Sequence, residues 1–286
     1  MSLAETIVGN HPEQIERTCP KCRSNAFDHL AEYSKEEWRV GSCGKCGFVY
    51  LQNVPVYDRM IDEFAWEKTW TDERERRVKD RPASMSASMV LRKIRKPFRK
   101  SERDMFEKLF KRGAVLDVGC GLGNRIPEKF IPFGIELSRN LNEAANKQMK
   151  PRGGHCVHAP AVEGISQFKP GFFSGIILRS FLEHEWQPKE LLSGARQVLR
   201  NDGKIFIRVP NFASINRRVR GPDWCGFRWP DHVNYFTPDS LAALAADCGF
   251  NTKLLNPFKI SIDDNIKAVL TPVTKSGARH MTETSL

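Results

Sequence analysis

The sequence predicts an α/β protein, a doubly wound and mostly parallel sheet of seven strands with a small module ahead of it. Three observations carry the prediction. The apolar run Ala114-Val-Leu-Asp-Val118 stops at Gly119, Gly121 and Gly123, the form of a buried strand that turns sharply into a ligand-binding loop. From there onward, short apolar segments alternate with amphipathic ones, as strands alternate with crossover helices in a parallel sheet. Ahead of it, two Cys-x-x-Cys pairs stand with twenty residues between them.

A chain of 286 residues is long enough for a full core and for two domains, at a prior of one domain per roughly 100–200 residues. No apolar run approaches the roughly 18 residues of a membrane span, which excludes an integral helical membrane protein. The first residues, Met1-Ser-Leu-Ala-Glu-Thr-Ile-Val8, have neither a basic start nor a long apolar core, so a cytoplasmic location is expected. The net charge of +11 raises nucleic acid as a partner. It is local, however: residues 91–112 hold ten Lys or Arg against three acids.

In the N-terminal module, residues 15–55, Cys19-Pro-Lys-Cys22 and Cys43-Gly-Lys-Cys46 have the spacing of a four-cysteine zinc ribbon. Disulfides are the competing account, and a reducing compartment favours metal. Four thiolates leave no open coordination position, so the Zn²⁺ would be structural. Short strands are predicted at 27–33, 38–40 and 48–51. Cys120, Cys156, Cys225 and Cys248 show no metal spacing and read as small buried or half-buried residues.

Residues 56–104 read as a helical, basic linker. Trp66 and Trp70 call for a packing partner, residues 82–88 break the pattern, and Arg92, Lys93, Arg95 and Lys96 carry its charge. That basic run is either a phosphate contact or the solvated face of a helix; the second is the more ordinary. Ser101-Glu-Arg-Asp104 resembles a helix start, after which Met105, Phe106, Leu109 and Phe110 fall on one face.

The loop Gly119-Cys-Gly-Leu-Gly123 differs from the Gly-x-Gly-x-x-Gly of dinucleotide sites, and Asp117 two residues before it would repel a pyrophosphate. A carboxylate suits a cation such as a sulfonium with its neighbouring ammonium. Ile131-Pro-Phe-Gly-Ile-Glu136 reads as a second strand ending in an acid placed to accept from ribose hydroxyls.

Leu116-Asp-Val-Gly-Cys-Gly-Leu-Gly123, Gly134-Ile-Glu136 and Leu182-Glu-His184, in that order and spacing, resemble the class I S-adenosylmethionine-dependent methyltransferases over residues 105–275. The resemblance implies a Rossmann-like methyltransferase fold. It also implies S-adenosylmethionine bound by Asp117, Gly119, Cys120, Gly121, Gly123, Glu136, Leu137, Ala161, Arg179 and Ser180. Two departures stand out. The third strand, 155–158, is followed by Ala159-Pro-Ala-Val-Glu163 without the family's adenine-binding aspartate, leaving backbone at Ala161 and Val162 for that role. Ser174 stands where relatives commonly carry an acid.

Along the rest of the chain, a short helix interrupted by Pro127 is expected at 124–130, and a longer one at 138–149 with Ser138 as N-cap. A fourth strand at 172–178 delivers Leu182-Glu-His184 to the sheet's C-terminal edge, where ligands sit. In relatives that act on small molecules this histidine lies near the methyl acceptor. The plainer account has Glu183 and His184 bonding each other or capping the next helix. Pro188 opens that helix, with Leu191, Leu192, Ala195, Val198 and Leu199 as its buried stripe. Asn201-Asp-Gly203 turns into a fifth strand at 204–209. The long connection 211–236, with Arg217, Arg218, Arg220, Trp224, Phe227, Trp229 and His232, is expected to roof the acceptor pocket. Thr237 caps a helix ending near Gly249, strands at 253–260 and 266–273 complete the sheet, and residues 276–286 form a frayed tail.

The reaction so implied is in-line methyl transfer to a small-molecule acceptor (a sugar, a surface-glycan precursor or a secondary metabolite), with His184, His232 and Tyr235 as candidate bases. An RNA methyltransferase using the ribbon and basic linker is the alternative. A noncatalytic binding protein is a third reading, against which the intact glycine loop argues.

Overall fold

The computed structural model describes residues 14–55 and 102–273. The basic run at 92–96, the tryptophans of the linker and the tail lie outside the described residues. Among the described residues no helix is long and apolar enough to cross a membrane.

The large sheet has seven strands: β6 (Ala114–Val118), β7 (Ile131–Glu136), β8 (Cys156–His158), β9 (Phe173–Arg179), β10 (Leu199–Pro210), β12 (Phe250–Leu254) and β13 (Asn265–Pro272). Their order across the sheet is β12-β13-β10-β9-β6-β7-β8. All pairings inward from β10 to β8 are parallel, while β13 is antiparallel to both β10 and β12. The strand order reverses beside β6, so the glycine loop leaves the sheet at its switch point.

Among the described residues, six helices flank or connect these strands: α1 (Glu102–Leu109), α2 (Arg139–Met149), α3 (Ala161–Ser166), α4 (Pro188–Val198), α5 (Ile215–Arg220) and α6 (Pro238–Asp247). Phe106 of α1 stacks with Phe110 and meets Phe206 of β10, which seats the helix on one face of the sheet. On the other face, Leu191, Leu192, Ala195 and Val198 of α4 join Leu116, Ile176, Leu178 and Ile205 in the main core. Ser138 and Thr237 accept from Leu141 N and Ser240 N, the N-caps expected of them.

Several elements differ from the sequence expectation. Residues 124–130 form turns rather than a helix. The guanidinium of Arg152 donates to the carbonyls of Ile126, Pro127 and Phe130 at 3.2, 2.6 and 3.1 Å, so those acceptors are satisfied without helical N–H groups. The strand expected at 253–260 lies at Phe250–Leu254, because Pro257, with no N–H to give, opens a 3-10 turn. β10 starts earlier than 204, with a register shift between Leu199 and Lys204. In the ribbon, β2 (Phe27–His29) gives way to a 3-10 turn at Ala31–Tyr33, and β3 is Val40–Cys43.

The N-terminal module shares a sheet with the rest of the chain. β11 (Asn234–Tyr235) pairs with β4 (Val49–Leu51), extending the order β11-β4-β3-β2, while β1 (Gln14–Glu16) pairs with β5 (Asn53–Pro55). Trp224, Phe227 and Tyr235 of the long connection pack with Tyr33, Trp38, Val40, Val49 and Leu51 of the module. Burying each such side chain contributes roughly 1.5–3 kcal/mol. The aromatics expected to roof a pocket thus form the seam between the module and the larger domain. Arg217 joins them, donating to Tyr33 Oη at 2.8 Å and lying over the Phe212 ring at 4.3 Å.

Candidate active site

The glycine loop begins where β6 ends. Gly119, Gly121 and Gly123 all have positive φ, at 65°, 55° and 73°, which is strained for any side chain. Their surroundings differ. A Cβ on Gly119 would lie 2.4 Å from Phe181 Cδ2, and one on Gly123 2.9 Å from Ala145 Cα, whereas one on Gly121 would meet nothing within 4 Å. Two glycines therefore permit close packing, and the middle one faces open space where a ligand fits.

Glu136 stands opposite. Its Oε2 accepts from Gly121 N at 2.8 Å and its Oε1 from Leu137 N and Ser138 N at 3.0 and 3.1 Å. This fixes the carboxylate against the loop, and each oxygen retains acceptor capacity for hydroxyls. Asp117 is fully buried. Its Oδ1 accepts from Arg125 at 2.5 Å, and its Oδ2 has no hydrogen-bond partner. Burial pushes its carboxyl up to about 6, against the pull of Arg125.

The other residues expected at the cofactor divide by what their side chains do. Cys120 turns inward, with Sγ 3.4 Å from that of Cys156, so only its backbone faces the loop. Leu137 O accepts from His158 Nε2 at 2.8 Å. Ala161 is buried at the start of α3. Arg179 donates to Glu102 of α1 at 2.7 Å, and Ser180, exposed at the end of β9, has φ 52°. A serine in that conformation stores strain at the sheet edge. Ser174, standing in place of an acid, donates to Ala114 O across the strands. An orphaned acceptor at Asp117 and an open cradle at Gly121, with Glu136 between loop and α2, fit the cationic and ribose ends of S-adenosylmethionine.

The chain then turns over the loop. Phe181 packs on Gly119, and its carbonyl accepts from His184 N at 2.9 Å. His184 Nδ1 donates to Asp231 Oδ1 at 2.8 Å and to Asp231 O at 2.9 Å, while Arg228 holds the other carboxylate oxygen. Burial alone would lower the His184 pKa; the Asp231 carboxylate overrides it and raises the value to about 9. His232 lies edge-on to His184, ring centroids 4.7 Å apart, and donates Nδ1–H to Gly226 O at 2.8 Å. Burial and the neighbouring imidazole push its pKa well down, so its Nε2 is an unprotonated acceptor. Glu183 is buried with Oε2 lacking any hydrogen-bond partner. It therefore neither bonds His184 nor caps α4. Tyr235 stands apart from the histidines' chemistry: its phenol is buried in the seam, without a hydrogen-bond partner, and burial raises its pKa. That keeps the proton on the oxygen.

In the N-terminal module, Cys19, Cys22, Cys43 and Cys46 bring their sulfurs within 4.8 Å of one another, with Cys19 to Cys46 at 3.6 Å and Cys22 to Cys43 at 3.5 Å. Four ligands at the usual zinc–sulfur distance of about 2.3 Å on a tetrahedron place sulfurs roughly 3.8 Å apart, so the cluster fits such an ion.

A seven-stranded, mostly parallel sheet, a glycine loop at its switch point and an acid at the end of the next strand define a class I S-adenosylmethionine-dependent methyltransferase. Residues 89–254 match the family model described as a methyltransferase domain, and the chain belongs to that family. An uncharacterized protein of Methanocaldococcus jannaschii is 27% identical over 151 residues, 53% of this chain and 71% of that protein. The ubiquinone biosynthesis O-methyltransferase of Paraburkholderia xenovorans is 24% identical over 182 residues, 54% of this chain and 76% of the relative. Among solved structures, an S-adenosylmethionine-dependent methyltransferase from Archaeoglobus fulgidus superposes with a TM-score of 0.45 at 16% identity, over 62% of this chain and 97% of that one.

Sequence reasoning missed Arg125, Asp231 and Arg17. Arg17, half-buried in the module, donates to Leu51 O, Val233 O, Trp186 O and Asn234 Oδ1. The last three partners lie beyond residue 180, a separation at which no local pattern announces a contact. Arg125 alone carried a signal, eight residues after the acid it pairs with.

Proposed function

We propose that this methyltransferase acts on a small-molecule acceptor: a sugar, a surface-glycan precursor or a secondary metabolite. The observation that carries the reading is the pair of imidazoles at the sheet's C-terminal edge, His184 braced by Asp231 and His232 beside it. His184 stands three residues after Phe181, which touches the cofactor loop, and donates its N–H to the Phe181 carbonyl. The relative from Paraburkholderia, named for O-methylation in ubiquinone biosynthesis, supports a small acceptor bearing a hydroxyl.

In the step proposed, an acceptor oxygen forms a bond to the methyl carbon as the carbon–sulfur bond breaks, and its electron pair stays on sulfur. The acceptor's proton leaves toward His232 Nε2 or solvent. Asp117, the glycine loop and Glu136 hold and orient the donor, so alignment supplies much of the rate. The four cysteines hold one structural Zn²⁺ that fixes the module, and through β11 the stretch bearing His232.

The test is release of S-adenosylhomocysteine by the purified full chain, supplied with S-adenosylmethionine and, in parallel, nucleotide sugars, phenolic acids, a low-molecular-weight cell extract and total RNA. Turnover in a small-molecule arm is expected. Turnover confined to the RNA arm, and lost on nuclease treatment, overturns the reading. Elemental analysis of the same sample is expected to find zinc, lost when Cys43 and Cys46 are replaced by Ser.

A further inference from the structure

We propose that Glu183, His184 and His232 hold a divalent transition-metal ion that binds the acceptor's oxygen, a second metal site distinct from the four cysteines. The proposal deepens the small-molecule reading and rests on it for the identity of the bound oxygen.

One ligating atom from each of the three residues lies within 4.8 Å of the others. Their hydrogen bonds select which atoms are free. His184 Nδ1 is committed to Asp231 and His232 Nδ1 to Gly226 O, which leaves Nε2 of each ring as the nitrogen available to a metal. Glu183 Oε2 is buried and unpartnered. A buried carboxylate oxygen without a hydrogen-bond donor costs roughly 1–3 kcal/mol or more, and a bound cation relieves it.

The backing of the site is that of a metal centre. A ligating histidine is usually oriented by a carboxylate or carbonyl on its other nitrogen, and here one ring has each. Asp231 is itself held by Arg228, and Glu183 by its own carbonyl, which accepts from Val233 N at 2.8 Å and Asn234 N at 3.1 Å. The three ligands thus come from two segments locked together, 183–184 and 232. Two imidazoles with one carboxylate suit zinc, iron or manganese better than calcium or magnesium. Three protein ligands leave coordination open, in contrast to the closed tetrathiolate cluster. His184 is the least buried of the three, so the opening lies on its side. A hydroxyl bound there loses its proton more easily, as metal-bound water does.

Cobalt(II) is the probe. Full-length protein is treated with a chelator to clear the open site and then titrated with Co²⁺. Saturable binding of one equivalent is expected, with visible ligand-field bands and without the sulfur-to-cobalt charge transfer that marks a tetrathiolate site. Glu183→Gln should abolish it, and Asp231→Asn should weaken it about 10–100-fold. S-adenosylhomocysteine calorimetry on each variant reports whether the fold survives. Absence of such binding in the wild type overturns the proposal, as does unchanged binding in Glu183→Gln. Should Glu183→Gln fail to fold, unweakened binding in Asp231→Asn overturns it. This readout needs no acceptor, so its failure leaves the small-molecule reading standing, and transfer to RNA alone would sink that reading without touching the cobalt signal.

Discussion

His184 and Asp231 meet across 47 positions of sequence, imidazole Nδ1–H to carboxylate at 2.8 Å, and the contact fixes which nitrogen of the ring stays free. Asp231→Asn keeps the shape and removes the charge, and an amide can present either its oxygen or its NH₂ to the ring. The orientation of His184 is then no longer enforced. Methyl transfer is expected to fall about 10–100-fold, while affinity for S-adenosylhomocysteine stays within twofold of wild type, roughly 0.4 kcal/mol. Equal losses of turnover and cofactor affinity would mean that Asp231 holds the fold rather than the ring.

Arg17 and Asn234 couple the N-terminal module to the same region. Arg17 donates to Asn234 Oδ1 at 3.1 Å, and Asn234 Nδ2 donates to Leu182 O and Glu185 O at 2.9 and 2.6 Å, bracketing Glu183 and His184. Arg17→Ala removes donors from several half-buried acceptors and should cost roughly 2–3 kcal/mol. In a double-mutant cycle with Asn234→Ala, a coupling of about 0.5–3 kcal/mol is expected. Additivity within experimental error would show the module to be a separate body.

These contacts mark the division between what was legible and what was not. The glycine loop, the acid at Glu136 and the four cysteines are local patterns, set by turn sterics and ligand spacing, and they read directly. The seven strands followed from apolar runs at the expected intervals. The missing helix at 124–130 was not legible, because the carbonyls it would have satisfied are served by Arg152, far along the chain. Likewise the aromatics of 211–236 announce burial but not against what; only the pairing of β11 with β4 assigns them to the module. Asp231 sits directly beside His232 in sequence, yet it is His184 that it orients.

Asp117 gives the stability a pH dependence of defined sign. Burial raises its folded pKa to about 6 from an ordinary value of 3.8, so between those values the native state binds more protons than the unfolded chain. Stability from this group is therefore lost as pH rises through that window, by roughly 3 kcal/mol at most. In Asp117→Asn the loss disappears. Denaturant unfolding without cofactor, at several pH values from 4 to 6, should show wild type losing stability relative to the variant. A difference independent of pH would mean that Arg125 fully compensates the buried charge.

The glycines of the loop separate packing from ligand contact. Alanine at either Gly119 or Gly121 incurs the strain of a positive φ, about 1–2 kcal/mol. At Gly119 the new methyl also meets Phe181 at 2.4 Å, so the ring must move, and with it the turn that carries Glu183 and His184. At Gly121 the methyl meets nothing within 4 Å and projects into open space. Gly119→Ala should therefore show the larger drop in melting temperature, with turnover impaired even at saturating S-adenosylmethionine. Gly121→Ala should melt closer to wild type yet bind S-adenosylhomocysteine at least tenfold more weakly, about 1.4 kcal/mol, because its side chain occupies the cofactor's place. If Gly121→Ala bound the cofactor as wild type does, the open space at this glycine would belong to solvent and the donor would have to sit elsewhere along the sheet edge.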